Sequence, residues 1–439
     1  GGIHMAGIDI VSLSRNVVPY VIEQRRYFHC HPEPTSREFK TMKYIQNELD
    51  QMKIPYTNIP DGGILAEIAG SGSGKDIDPH VLLRADCDAL TMEEAEENMK
   101  QKRTCMSENH GVAHMCGHDS HMAMLLGAAK ILSELKPEQI AGTIYLLFER
   151  GEEGGNCIYY VMKYIQHQNI RIDSCFALHV EPDLPAGIFG VAEGPSHAGN
   201  VNFEIKLIGK GGHGSRPDLS NHPLDCFISI VNQLKDIRMK YIKPSALITY
   251  NIGSIKCGEK RNIIPENLEF KGTARFFDVE AGSVFKERLD AIIRSNAALY
   301  DCKTEYQVFS GPSLSLKNNK EAVELAEDAL KELYGERQLE KVEPSLGSES
   351  FSTLGSYYPS VMLRLGVRNE KQGMMAALHS PWFDLDESAL MYGVSSHVAY
   401  ALKYLEKAPQ ISFTPFPGDA DAVLAFTHRP VPKHFDKVL

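Results

Sequence analysis

The chain has no apolar run approaching the roughly 18 consecutive residues of a membrane-spanning helix, and its N-terminus lacks the basic-then-apolar pattern of a secretory signal. A membrane partner is not expected. The opening Gly1-Gly2-Ile3-His4 reads as a remnant ahead of a natural start at Met5. Paired cysteine spacing is missing too. The nine cysteines, scattered and odd in number, build no disulfide framework and fit a reducing cytoplasm. Positive charge is in deficit. A formal net charge of −11 disfavours nucleic acid or an anionic membrane as the main partner, although local basic groups could still hold a small anionic substrate. There is no internal repeat. The glycine-rich Gly209-Lys210-Gly211-Gly212-His213-Gly214 lacks the spacing of a P-loop or dinucleotide fold, and a flexible loop presenting one imidazole is its plainer account.

What is present is ordinary globular composition, 43% hydrophobic and 23% charged, over 439 residues, a length that exceeds a single core and predicts two domains. Short apolar runs at 64–68, 81–83, 144–148, 175–178 and 361–363 read as strands buried on both faces, as parallel strands are. Helical spacing alternates with them at 41–52, 120–135, 158–166, 320–334 and 388–405, and Pro137 closes the second of these. The pattern predicts an α/β fold, a mostly parallel sheet sandwiched by helices. Between about 200 and 310 the period changes. Val201, Phe203, Ile205 and Leu207 alternate with polar residues, and the order β-α-β-β-α-β predicts an inserted ferredoxin-like α+β domain. Its free sheet edge could pair with a second subunit. Beyond Leu405 the chain is rich in proline and aromatics and shows no helical period.

The densest chemistry lies in His114-Met115-Cys116-Gly117-His118-Asp119-Ser120-His121. Imidazole, thiolate and carboxylate so close together can hold divalent ions of zinc or manganese type. Cys116 and His118 open a helix, and a bound cation would keep the thiol as thiolate. His114 and His121 read as weaker ligand candidates or as supports behind the ligands. Glu152 and Glu153 follow a very apolar strand, where one acid can ligate metal while the other takes a proton from the attacking water. His179 and His379 each border an apolar segment. Taken singly they read as core histidines, and only the completed set makes them ligands. Asp86 and Asp88, the Glu152–Glu153 pair and His179 all follow strand ends, so they meet at the carboxyl rim of the sheet, where open α/β folds bind ligands. Asn262 and Arg275 could bind a carboxylate, and each reads equally as a structural polar group.

These residues, in this order, resemble the amidohydrolase branch of the dimetal carboxypeptidases and aminoacylases, which includes hippurate hydrolases and plant auxin-conjugate hydrolases. The resemblance runs from about residue 15 to 405. It is carried by Arg84-Ala85-Asp86-Cys87-Asp88-Ala89-Leu90, the 114–121 motif, Glu152-Glu153, His179, the 209–214 loop, 262–265, 272–278, Gly347-Ser348-Glu349 and His379-Ser380-Pro381. It implies two divalent ions per subunit (zinc, manganese or cobalt) bridged by Cys116, with His118 and His179 completing one site and Glu153 and His379 the other. It further implies Glu152 as general base, His213 as a lid histidine reaching the partner's active site, and Asn262 and Arg275 as contacts to the substrate's carboxylate. On this reading residues 6–196 and 312–407 form a discontinuous catalytic domain, 197–311 the inserted lid and dimerisation domain, and 408–439 a C-terminal extension of unassigned role.

The expected activity is that of a metal-dependent amidohydrolase cleaving N-acyl amino acids. The expected partners are a small N-acyl amino acid or short peptide and a second copy of the chain through the lid. A carboxypeptidase or dipeptidase on the same scaffold is the close alternative, and a catalytically silent metal-binding dimer the distant one. Three departures from the family pattern stand out. Glu149-Arg150-Gly151 replaces Gln-Pro-Ala and is expected to alter the charge beside the site. Asp218 and His222 replace the usual residues after the lid histidine. Gly194-Pro195-Ser196-His197 is more polar than the family norm.

Overall fold

A computed structural model describes residues 7–71 and 78–429. The remnant at the N-terminus, the Met5 start and the last ten residues of the extension lie outside the described residues. An eight-stranded sheet forms the larger body, in the order Tyr56–Ile59, Gly63–Ala69, Thr143–Glu149, His80–Asp86, Ser174–Pro185, Ser360–Arg368, Phe189–Val191, Leu339–Lys341. Its four central strands, from Thr143–Glu149 to Ser360–Arg368, run parallel. The strand Gly63–Ala69 is antiparallel to both neighbours, although its apolar run looks like that of a parallel strand. Burial on both faces dictates such a run, whichever way the chain points.

Alternate residues of each strand enter two different cores. Val81 and Leu83 pack into one with the helices Ile10–Cys30, His118–Glu134, Lys320–Tyr334 and Leu390–Lys407. Leu82 packs into the other with Ile158–His167, Ser352–Tyr357 and Ala420–Thr427. All three side chains are fully buried, and each contributes about 1.5–3 kcal/mol relative to exposure. The helix Ile10–Cys30 had no clear apolar period in the sequence, because Ser14, Gln24, Arg25 and His29 share its buried face and Pro19 lies inside it. Among the described residues no helix is long and apolar enough to cross a membrane.

The second sheet, in the order Ile248–Cys257, Asn267–Phe276, Gly199–Ile208, Lys303–Ser310, is antiparallel throughout. Numbered along the chain this is 2-3-1-4, the order of a ferredoxin-like unit. The helices Pro223–Asp236 and Val279–Leu299 cover one face, where Val201, Phe203, Ile205 and Leu207 are buried. The proline-rich tail differs from its sequence reading. Its described part carries the helix Ala420–Thr427, capped by Asp419, whose eight residues are too short to show a period in sequence.

Candidate metal centre

Parallel register brings the polar residues to one level. Asp86 lies opposite Glu149, and Arg84 opposite both Leu147 and Ala177, which sets His179 two residues on, beside Asp86. Gly117 then turns the chain from Cys116 into the helix that begins at His118. Its φ of 87° is left-handed, and an added Cβ would sit 2.4 Å from Val180 Cγ2, so only glycine fits. His379, at φ 61°, is held by its backbone N–H on the Met115 carbonyl, 2.8 Å away, next to Cys116. Positive φ at a non-glycine residue stores strain of the kind that clusters at functional sites.

The Cys116 sulfur is the centre of the arrangement. His179 Nε2 lies 3.5 Å away and His379 Nε2 3.3 Å away. His379 Nε2 is in turn 3.2 Å from Glu153 Oε1. Cys116, His118 and Glu153 converge on a common point, and so do Asp86, His118, His121 and His179. His118 Nδ1 donates to the Asp88 carbonyl at 2.8 Å and His179 Nδ1 to the Val180 carbonyl at 2.8 Å, which leaves both Nε2 atoms directed inward as ligands. His121 is different. Its Nδ1 donates to Asp86 at 2.6 Å and its Nε2 accepts from Val180 N–H at 3.0 Å, so both ring nitrogens are engaged. His114 is buried outside both groups, and burial lowers its pKa to about 4.

These residues fit a pair of cations on three counts. His118 Nε2, fully buried, makes no hydrogen bond among the described residues. Burial pushes the Cys116 thiol well above its ordinary value, which only a strong local positive charge would reverse. Finally, Asp86, Asp88, Glu149 and Glu349 are buried around Arg84, which contacts Asp86 at 2.9 Å, Glu149 at 2.7 Å and Glu349 at 3.0 Å. One guanidinium cannot balance these acids together with Glu152 and Glu153, and unpaired buried charge is costly.

Two adjacent acids have opposite environments. Burial, with Glu349 and Glu153 nearby, raises Glu152 well above the usual carboxylate range. Burial would raise Glu153 too, but the hydrogen bond from His379 and the charge of His118 lower it. Such divergence separates a proton acceptor from a ligand. Ser350 N–H donates to Glu152 Oε1 at 3.0 Å and fixes its orientation. The turn carrying both acids hangs on Asp88, whose two oxygens accept the N–H groups of Glu152 and Glu153 at 3.1 and 3.0 Å. Asp88, Arg84 and Glu349 were not assigned roles from sequence. The available signal was charge embedded in a buried strand end, in Arg84-Ala85-Asp86-Cys87-Asp88.

The expectation that Arg150 alters charge beside the site is not met. Arg150 turns away to Glu38, 2.9 Å from its Nε, and to the Ser36 carbonyl at 2.8 Å. Glu149 is taken by Arg84.

A cavity of about 860 Å³ opens over the centre, lined by Cys116, Glu152, Glu153, His179 and His379 together with Arg275, His197 and Asn200 from the lid side. Arg275 donates to Ser348 Oγ at 2.8 Å. His213 and Asn262 are not in its lining. They sit side by side and exposed on the lid, where His213 pairs with Ile263 and Gly214 N–H donates to the Asn262 carbonyl at 2.9 Å.

Known proteins share this architecture. The family model of peptidase family M20/M25/M40 matches residues 82–403. Thermostable carboxypeptidase 1 of Saccharolobus solfataricus is 32% identical over 90% of this chain and 97% of its own. An IAA-amino acid hydrolase of Arabidopsis thaliana is 30% identical over 88% of this chain and 86% of its own. The crystal structure of a Bacillus subtilis protein described as a dinuclear metal binding peptidase superposes with a TM-score of 0.72 at 28% identity, over 89% of this chain and 99% of that one.

Proposed function

The chain belongs to peptidase family M20/M25/M40, and from that premise we propose that it hydrolyses the amide bond of N-acyl amino acids at two divalent ions of zinc, manganese or cobalt type. Cys116 would bridge the ions, with His118 and His179 on one side and Glu153 and His379 on the other. When bound, the pair supplies carbonyl polarisation and acidifies the attacking water.

The chain's own residues do the rest. Glu152, held by Ser350 N–H, takes the proton of the water as it attacks the carbonyl carbon. Its raised proton affinity lets it keep that proton and then deliver it to the leaving amine. Arg275, anchored by Ser348 in the cavity wall, receives the α-carboxylate. His213 and Asn262, exposed and outside the cavity of their own chain, serve the site of a second subunit. There His213 would steady the tetrahedral oxyanion, worth a few kcal/mol of barrier. The exposed Leu247 and Ile255, beside and on the edge strand Ile248–Cys257, support pairing of lids in a homodimer. Nine free cysteines fit a cytoplasmic setting.

The observation that carries this reading is a buried base, Glu152, beside the converging ligand atoms of Cys116, His118 and Glu153. A panel of N-acetyl amino acids and matching dipeptides, assayed with zinc, manganese and cobalt in turn, tests it. Faster turnover of the N-acetyl compounds is expected. Faster turnover of the dipeptides would favour a peptidase, the reading supported by the carboxypeptidase relative. Inactivity of metal-replete protein across the panel would end the proposal.

A further inference from the structure

The C-terminal extension has a built seat. Ala420, Val423 and Leu424 are buried in the core that contains Ile158, Tyr159 and Met162, on the helix that follows the Glu152–Glu153 turn. Phe416 N–H donates to the Ser356 carbonyl at 2.7 Å, Tyr357 Oη to the Asp419 carbonyl at 2.7 Å, and Ala420 N–H to Gln166 Oε1 at 2.9 Å. At its far end the Thr427 carbonyl accepts from Gly311 N–H at 3.0 Å, where the chain returns from the lid. His428 then adopts a left-handed φ of 49° and turns the chain into the cavity, so that His428 and Arg429 line it with Glu152, Glu153, His179 and His379.

Arg429 donates to Asn156 Oδ1, three positions beyond Glu153. Three guanidinium groups therefore face this cavity, and they differ in their partners. Arg364 is paired with Glu181 at 3.7 Å. Arg275 and Arg429 are held by the neutral side chains of Ser348 and Asn156, and neither forms an ion pair among the described residues. Much of the remaining wall is uncharged and polar, including Asn200, Asn202, Gln307, Ser310 and Ser345. An arginine fork held by a neutral oxygen keeps donors for a carboxylate. The α-carboxylate assigned to Arg275 accounts for one such group and leaves the other unmatched.

We propose that Arg429 is a specificity-determining residue that binds a second carboxylate on the substrate, so that N-acyl amino acids carrying two anionic groups are preferred. This rests on the amidohydrolase reading above. Arg429 lies beyond residue 403, where the match to the family model ends. The second carboxylate sits on the amino-acid side chain or on the acyl group, and paired probes separate these sources. N-acetylglutamate is compared with N-acetylglutamine, and N-succinylalanine with N-butanoylalanine.

The full-length, metal-loaded chain is assayed for kcat/KM on each pair, and calorimetric binding of the same pairs is measured in a Glu152→Gln background. The dianionic member of at least one pair should be favoured about tenfold, a difference of about 1.4 kcal/mol. Arg429→Ala should collapse that ratio toward unity, mainly through KM, and Arg429→Lys should restore part of it. A merely structural role would depress both members of a pair alike and leave the ratio intact. No preference in either pair, or a preference indifferent to Arg429→Ala, overturns the inference even where Glu152-dependent hydrolysis is found. Arg429-dependent preference in binding without turnover would uphold it while removing the proposed reaction.

Discussion

Replacing Glu152 by glutamine removes a proton acceptor and almost nothing else. The amide is isosteric, and its oxygen can still accept from Ser350 N–H, which lies 3.0 Å from Glu152 Oε1. Glu152 is not among the side chains grouped around Cys116, so metal content should stay at the wild-type level. Folding should not suffer either. Burial, Glu349 and Glu153 all oppose a charge at this position, and a neutral side chain relieves that repulsion. Loss of a general base costs about 10²–10⁴ in rate, or about 3–5 kcal/mol of barrier. The expected variant therefore binds metal, melts no lower than wild type and loses kcat by at least a hundredfold with little change in KM. Amine release under saturating substrate, metal analysis and a melting curve measure the three quantities. A metal-replete Glu152→Gln chain with kcat within about threefold of wild type would refute the base assignment.

Other consequences are equally direct. Gly117→Ala places a Cβ 2.4 Å from Val180 Cγ2 at a φ of 87°, which should cost about 1–3 kcal/mol and weaken metal binding by displacing Cys116 from His118, as metal titration would show. Chelation should lower the melting temperature, because Asp86 and Glu349 then remain buried with Arg84 as their shared guanidinium partner; unchanged melting would count against the electrostatic argument. Burial lowers His397 to about 3, so below an unfolded-state value near 6.5 the unfolded chain binds a proton that the native chain refuses. Stability should thus fall as pH drops from 6.5, by about 2 kcal/mol at pH 5 for this residue, and His397→Phe should flatten that dependence in urea denaturation.

Legibility in the sequence followed locality. The helix Lys320–Tyr334 is visible because its apolar period is uninterrupted and Asn319 caps it. Cys116 and His118 are visible because the loop and helix that position them are contiguous in sequence. The ferredoxin-like unit is visible because one-sided burial imposes alternation on Gly199–Ile208. What stayed hidden depends on distant pairing. His121 reads as a possible ligand until Val180 N–H, 59 positions away, is seen to occupy its Nε2. Arg150 reads as a charge beside the site until Glu38, 112 positions away, takes it up. Arg429 lies in a segment whose only helix among the described residues has eight residues, and nothing in its own sequence says that it returns to the cavity.

The central claim is that Cys116 lies between two ions. Elemental analysis of the purified full-length chain, with Cys116→Ser measured beside it, tests that claim most directly. Two divalent ions per wild-type chain are expected, with both sites weakened together in the variant, because His179 and His379 approach the same sulfur at 3.5 and 3.3 Å. A Cys116→Ser chain that keeps the wild-type metal content and turnover would contradict the account.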